Sequence, residues 1–257
     1  MNTEPKMNSG SALREEMVKA CKVLYAVKAV GDGLGGHLSA RLDEQRILIK
    51  PRPVGWWRLV PEDLIVIDFN GKRVDEPASR SAVREWPVHT QIYRARPDVG
   101  CVLHAHPVAS VLMATLNIEV EPLDQDCALF VGKLPVLDNS AVSISTPELG
   151  DDIARALGKM NAMLVKNHGS VVAGADIANV CVTAHRMEKV AETMLRAAAV
   201  SGLPVMSPEA KAAVLQAREL VETAMGGGMD KERWRILQEY HLSREGSYQN
   251  LRDVGLS

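Results

Sequence analysis

The chain has 257 residues, 30 basic against 32 acidic, with a formal net charge of -2 and only 4% aromatic side chains. No basic block stands out and aromatic rings are scarce, which argues against nucleic acid as a partner. The length is enough for a large core, and no run approaches the ~20 apolar residues of a membrane span.

Residues 1–10 are polar, carry no apolar signal region and are expected to be disordered. Residues 11–30 place Met17, Cys21, Leu24, Val27 and Val30 at helical spacing, and Gly31 stops the helix. The run GDGLGG (31–36) reads as a flexible loop. HLSAR, RILIK and DLIVID then read as short strands, the last closed by the turn signal Asn70-Gly71. A helix is expected over 84–96, ended by Pro97, followed by a β-type run over 99–106. Thr146 and Pro147 suit the N-cap and first position of another helix.

Two strands are expected to flank Asn167-His168-Gly169, and an Ala-rich helix to run from Ile177 to Val200. Ser207-Pro208-Glu209 opens a further helix, and glycines 226–228 set off the last segment. The pattern is a mixed sheet with packed helices and a helical C-terminal extension. The scattered Cys21, Cys101, Cys127 and Cys181 form no CxxC pair and read as buried, reduced thiols of a cytoplasmic protein.

His104 and His106 lie two residues apart on an apparent strand, so both imidazoles point to one side with Cα atoms roughly 6.6 Å apart. They can converge on one ion at about 2.0–2.1 Å. His168, at a tight junction where Gly169 permits a turn, offers a third neutral nitrogen of the kind zinc, manganese or iron accepts. Glu85, at a helix start that favours a carboxylate, is the fourth ligand or the acid/base group. His89, one helical turn past Glu85, reads as a supporting group, and His185 as a helix-packing residue.

These residues sit in ordered motifs: GGHLSAR after the first helix, REWPVHTQIYRARPDVGCVLHAHP, and KNHG before a long helix. Over residues 12–200 or so the chain resembles the class II aldolase/adducin-like family, which includes sugar-phosphate aldolases, an epimerase and decarboxylases. The resemblance implies an α/β class II aldolase-like α/β/α sandwich with a largely antiparallel central sheet. It implies a catalytic domain over 11–203 and a helical extension over 204–257. Glu85, His104, His106 and His168 occupy the family's metal-ligand positions, for one divalent ion per subunit: zinc or manganese first, then magnesium, iron or cobalt. A homotetramer with sites at subunit interfaces is implied as well.

Three phosphate-binding positions of the sugar-phosphate members differ here. They are Gly36-His37-Leu38-Ser39, Pro53-Val54-Gly55, and Val83-Arg84 in place of a serine pair. The expected substrate contacts are therefore Arg84, Arg52, Arg80, Ser39 and Gly55, with an arginine gripping a carboxylate. His37 joins Glu85 as a candidate catalytic group, and Trp56-Trp57 offer an aromatic wall or plain packing beneath the loop. The combination is most similar to the family's decarboxylases of hydroxylated aromatic dicarboxylates or their ring-cleavage products. Retro-aldol cleavage of a non-phosphorylated hydroxy-keto acid and an adducin-like binding role are the alternatives.

Overall fold

The computed structural model describes residues 7–75, 80–138, 143–201, 206–225 and 230–241. Seven strands form one sheet in the order β3-β2-β1-β4-β7-β6-β5. They are β1 (His37–Arg41), β2 (Arg46–Ile49), β3 (Ile65–Asp68), β4 (Cys101–Ala105), β5 (Val136–Leu137), β6 (Ala162–Val165) and β7 (Gly169–Gly174). Every neighbouring pair is antiparallel except β5 with β6.

The strands alternate between two cores. Cys101, Leu103 and Ala105 of β4 face a cluster built with helices α1 (Met7–Ala26), α3 (Val108–Thr115) and α6 (Ile177–Ser201). Val102 faces the opposite cluster, built with α2 (Trp86–Ala95) and α5 (Pro147–Leu157). Both faces of the sheet are thus covered, as the near-continuous apolar runs of β4, β6 and β7 require. The result is the expected α/β/α arrangement. A short helix α4 (Cys127–Phe130) precedes β5, and α7 (Pro208–Met225) and a helical stretch over 230–241 follow α6.

The helix ends differ from the expected ones for local reasons. α1 stops at Ala26 because Lys28 takes a left-handed φ of 61°, and the chain turns before Gly31. α2 begins at Trp86, leaving Glu85 at its N-cap with a side chain that makes no capping bond. Thr146 does cap α5, accepting from the Leu149 amide at 3.4 Å, and Ser207 Oγ accepts from Ala210 N at 3.2 Å at the start of α7. After β3, Asn70 and Gly71 turn the chain, but pairing resumes only as an isolated bridge from Ile67 to Arg73. Glycines 226–228 lie outside the described residues. All four cysteines are buried and free, and no described helix is long and apolar enough to cross a membrane.

α6 locks α3, the helix that leaves the HAHP segment. The buried carboxylate of Glu188 on α6 accepts from the amides of Ala109 and Ser110 and from Ser110 Oγ, at 2.9, 2.9 and 2.7 Å. These are the orphan donors of a helix start, where a negative charge is also favoured. Glu188→Ala is expected to cost about 1.5–3 kcal/mol, the worth of a hydrogen bond to a charged group. Denaturant unfolding measures it, and a loss under ~0.5 kcal/mol would show that the cap matters little.

Candidate metal centre

The register of the sheet assembles the site. His37 pairs with His104 across β1 and β4, and His104 pairs with Val171 across β4 and β7. His104 shares the face of Val102 towards α2, while His106 lies one residue beyond the end of β4. The His104 and His106 rings still converge, with centroids 4.9 Å apart. His168 arrives from the turn between β6 and β7, and Glu85 from the N-cap of α2.

The ligand atoms of Glu85, His104, His106 and His168 all lie within 4.8 Å of one another. Nε2 of His104 is 3.2 Å from Nε2 of His168 and 3.4 Å from Oε2 of Glu85, and Nε2 of His168 is 3.4 Å from Oε1 of Glu85. A tetrahedral ion with bonds of about 2.0–2.1 Å separates its ligand atoms by roughly 3.3–3.4 Å, so the spacing fits. The tautomer fits too. His104 Nδ1 donates to the Ser170 carbonyl at 2.9 Å, which turns the Nε2 lone pair toward the other three ligands.

Glycines let the rings approach. A Cβ on Gly169 would meet the Ala105 carbonyl at 2.5 Å and the His106 ring at 2.8 Å. The left-handed residue of that turn is Asn167, with a φ of 57°, so Gly169 serves close approach rather than the turn as expected. Residues 31–36, expected to be a flexible loop, pack against the same segment. A Cβ on Gly36 would sit 2.7 Å from the His104 carbonyl.

Burial pushes the His37 and His106 imidazoles down to about 4, since a charged ring would be cut off from water. Burial alone would raise the Glu85 carboxyl. Hydrogen bonding to His104, His168 and His37 outweighs it and holds the group far below the usual carboxylate range. A carboxylate and imidazole nitrogens are a donor set that suits a divalent cation. Glu85 is steadied by Ser143 Oγ and the Ile144 amide, each donating to Oε1 at 3.0 Å.

Behind His37 runs a buried chain of polar contacts. Its Nδ1 is 2.6 Å from His89 Nε2, His89 Nδ1 is 2.7 Å from Ser39 Oγ, and Ser39 Oγ is 2.9 Å from the Tyr93 hydroxyl. The chain leaves His37 Nε2 facing Glu85 Oε2 at 3.6 Å. His89 is therefore the supporting group it was expected to be. Ser39, expected to touch substrate, is wholly buried in this chain instead.

A cavity of about 470 Å³ opens over the cluster, lined by His37, Glu85, His106 and His168, by Arg52 and Arg84, and by Lys50. Arg80 is not among its lining residues: its Nε donates to Asp63 at 2.8 Å and its Nη1 to the Pro53 carbonyl. Gly55 lies outside the cavity as well, packed under the Trp57 ring at the start of the 3-10 turn 56–58. Neither tryptophan forms the aromatic wall. Trp56 is buried with its Nε1 donating to the Gly35 carbonyl, and Trp57 packs on Tyr25 at 5.0 Å. Lys50 and Ser143 carried no motif and escaped the sequence reading; only the path of the chain brings them here.

Residues 15–195 match the family described as Class II Aldolase and Adducin N-terminal domain. The chain belongs to the class II aldolase and adducin family. Among its relatives in that family, 3,4-dihydroxyphthalate decarboxylase of Terrabacter sp. (strain DBF63) is 27% identical over 220 residues, covering 81% of this chain and 91% of the relative. L-fuculose phosphate aldolase of Escherichia coli (strain K12) is also 27% identical, over 206 residues, covering 79% and 93%. An aldolase II superfamily protein from Pseudomonas syringae superposes with a TM-score of 0.81 at 21% identity, over 95% of this chain and 96% of that one. The His/Glu cluster fits a divalent-metal site of this class II aldolase family.

His106 and His168 are only partly buried, so each can be replaced without opening the core. His106→Ala and His168→Ala are expected to stay folded by circular dichroism and to hold metal more than about tenfold less tightly. Elemental analysis after dialysis against a chelator reads this out. Unchanged metal content in both would remove these residues from the ligand set.

Proposed function

We propose that this family member is a divalent-metal-dependent carbon–carbon lyase, and that it decarboxylates a hydroxylated aromatic dicarboxylate or the ring-cleavage product of one. The observation that carries the reading is the composition of the cavity. A cluster of three histidines and a glutamate stands beside several cations, and by family resemblance Val83 and Arg84 stand where the sugar-phosphate members carry a serine pair. The similarity to 3,4-dihydroxyphthalate decarboxylases supports it.

A divalent cation held by Glu85, His104, His106 and His168 would stabilise the charge left on a substrate oxygen as the bond to carbon dioxide breaks. Arg84, exposed at the mouth of the cavity, holds the second carboxylate and with it the orientation of the ring. Arg52 lines the same cavity as a further carboxylate contact. His37 and Glu85, both facing the cavity, are our candidates for passing a proton drawn from a bound water to the carbon that loses the carboxylate. We further read the active form as a homotetramer, from the family resemblance, with the exposed apolar stripe of Val108 and Leu112 on α3 and Leu116 at its C-cap as a candidate contact surface.

Retro-aldol cleavage is the second reading, favoured by the equal 27% identity to fuculose phosphate aldolase. Both reactions leave negative charge on the same kind of oxygen, so product analysis separates them. With zinc or manganese supplied, ortho-hydroxylated aromatic carboxylates should release carbon dioxide, while L-fuculose 1-phosphate should be a poor substrate. Brisk aldehyde release from the sugar phosphate, with no carbon dioxide from the aromatic acids, would replace the first reading by the second.

Two variants probe the assigned roles. Arg84→Leu should lower kcat/KM about ten- to a hundredfold for a dicarboxylate. The loss should be smaller for an analogue lacking the second carboxylate, and equal losses would mean that Arg84 does not grip that group. His89→Gln should lower kcat with metal content and KM little changed, because it frees the His37 ring while leaving the four ligands intact. A matching loss of metal would instead make His89 a support of the ligand set.

A further inference from the structure

Lys50 follows β2 directly, its amide donating to the Leu38 carbonyl at 2.9 Å, and its side chain is only 1% exposed. A buried ammonium is ordinarily paired with a carboxylate, because stripping its water costs several kcal/mol. Among the described residues no aspartate or glutamate lies within ion-pairing distance of it. Its contacts are the Pro51 carbonyl at a long 3.4 Å and the face of Trp56 at 5.1 Å. Both hold the ammonium in place, and neither neutralises it.

The titratable neighbour does not help. Cys21 is buried and its thiol is pushed up to about 12, so it remains uncharged. Lys50 nonetheless lines the cavity beside His37, Arg84 and Glu85. Glu85 is engaged with three histidines, Ser143 and Ile144, and cannot also serve as a counter-charge there. A buried cation on a cavity wall, with no acidic partner among the described residues, is arranged to receive one from a ligand.

We propose that Lys50 is an anion anchor in the inner wall of the cavity, whose ammonium is completed by an anionic group of the substrate: a carboxylate, if the reading above holds. The inference rests on that reading for the kind of anion, and on geometry alone for the anchor. Lys50 and Arg84 then divide the labour. The buried ammonium recognises charge, and the exposed guanidinium at the mouth adds bidentate geometry. The site would favour an aromatic ring bearing two anionic groups over one bearing a single group.

The anchor has a consequence for stability that a structural lysine would not have. In Lys50→Met the side chain keeps its length and loses the unpaired charge, so the ligand-free protein should melt at the same temperature as the wild type or higher. The test uses zinc-loaded full-length protein and calorimetric titration with phthalate, benzoate and inorganic phosphate. The wild type should bind phthalate more tightly than benzoate, and Lys50→Met should lose about tenfold or more of the phthalate affinity with an undiminished melting temperature. Phosphate binding that Lys50→Met abolishes, with no binding of phthalate, would keep the anchor and overturn the aromatic dicarboxylate. Unchanged phthalate affinity in a folded Lys50→Met protein would overturn the anchor and leave the decarboxylase reading to its product assay. No binding of any of the three anions by the wild type would also overturn the anchor.

Discussion

Three imidazole nitrogens and a carboxylate are gathered within 4.8 Å of one another, and the surrounding structure holds them there. β4 supplies the rigid centre, with β1 on one side and β7 on the other, so His104 cannot move without disturbing three strands. The Ser170 carbonyl orients its ring, Gly169 and Gly36 let neighbouring segments close on it, and residues 143–144 pin Glu85 from outside the sheet. Glu188 then clamps the helix that begins just past His106. The chemistry sits at one end of the central strands, and the loops that reach it are tied to buried elements.

Charge is graded across the cavity. Glu85 is committed to the histidines, while Lys50 lies buried and Arg52 and Arg84 lie exposed at the mouth. A cavity with this excess of positive charge suits a ligand with more than one negative group. Two anionic positions at different depths also fix which face of a flat ring turns toward the metal ligands. The buried chain from Tyr93 to His37 adds a second layer of order, since it sets a ring that touches the cavity from within the space between β1 and α2.

Much of this was legible in the chain itself. The HxH pair, the Asn-His-Gly junction and Glu85 ahead of a helix pointed to the four residues that the structure brings together, because strand alternation and turn chemistry are local properties and the ordered motifs around them resemble the family's. The short β-type runs and helical periods likewise announced a mixed sheet with helices packed on it.

What the sequence could not separate were residues alike in type and differing only in partner. Arg80 and Arg84 are four positions apart, yet one is held by Asp63 and the other lines the cavity. Ser39 looked like a substrate donor until β1 packed on α2 and buried it against His89 and Tyr93. Lys50 carried no signal at the end of the RILIK run, and only burial beside Trp56 makes it a charge with no counter-ion among the described residues. The local pattern of the chain determined a mixed sheet with packed helices, and its family resemblance implied the sandwich and the four residues of the cluster. Tertiary structure alone decided which cations line the cavity, because an ion's role depends on which distant groups share its space, and those distances are set only when the sheet and helices close around it.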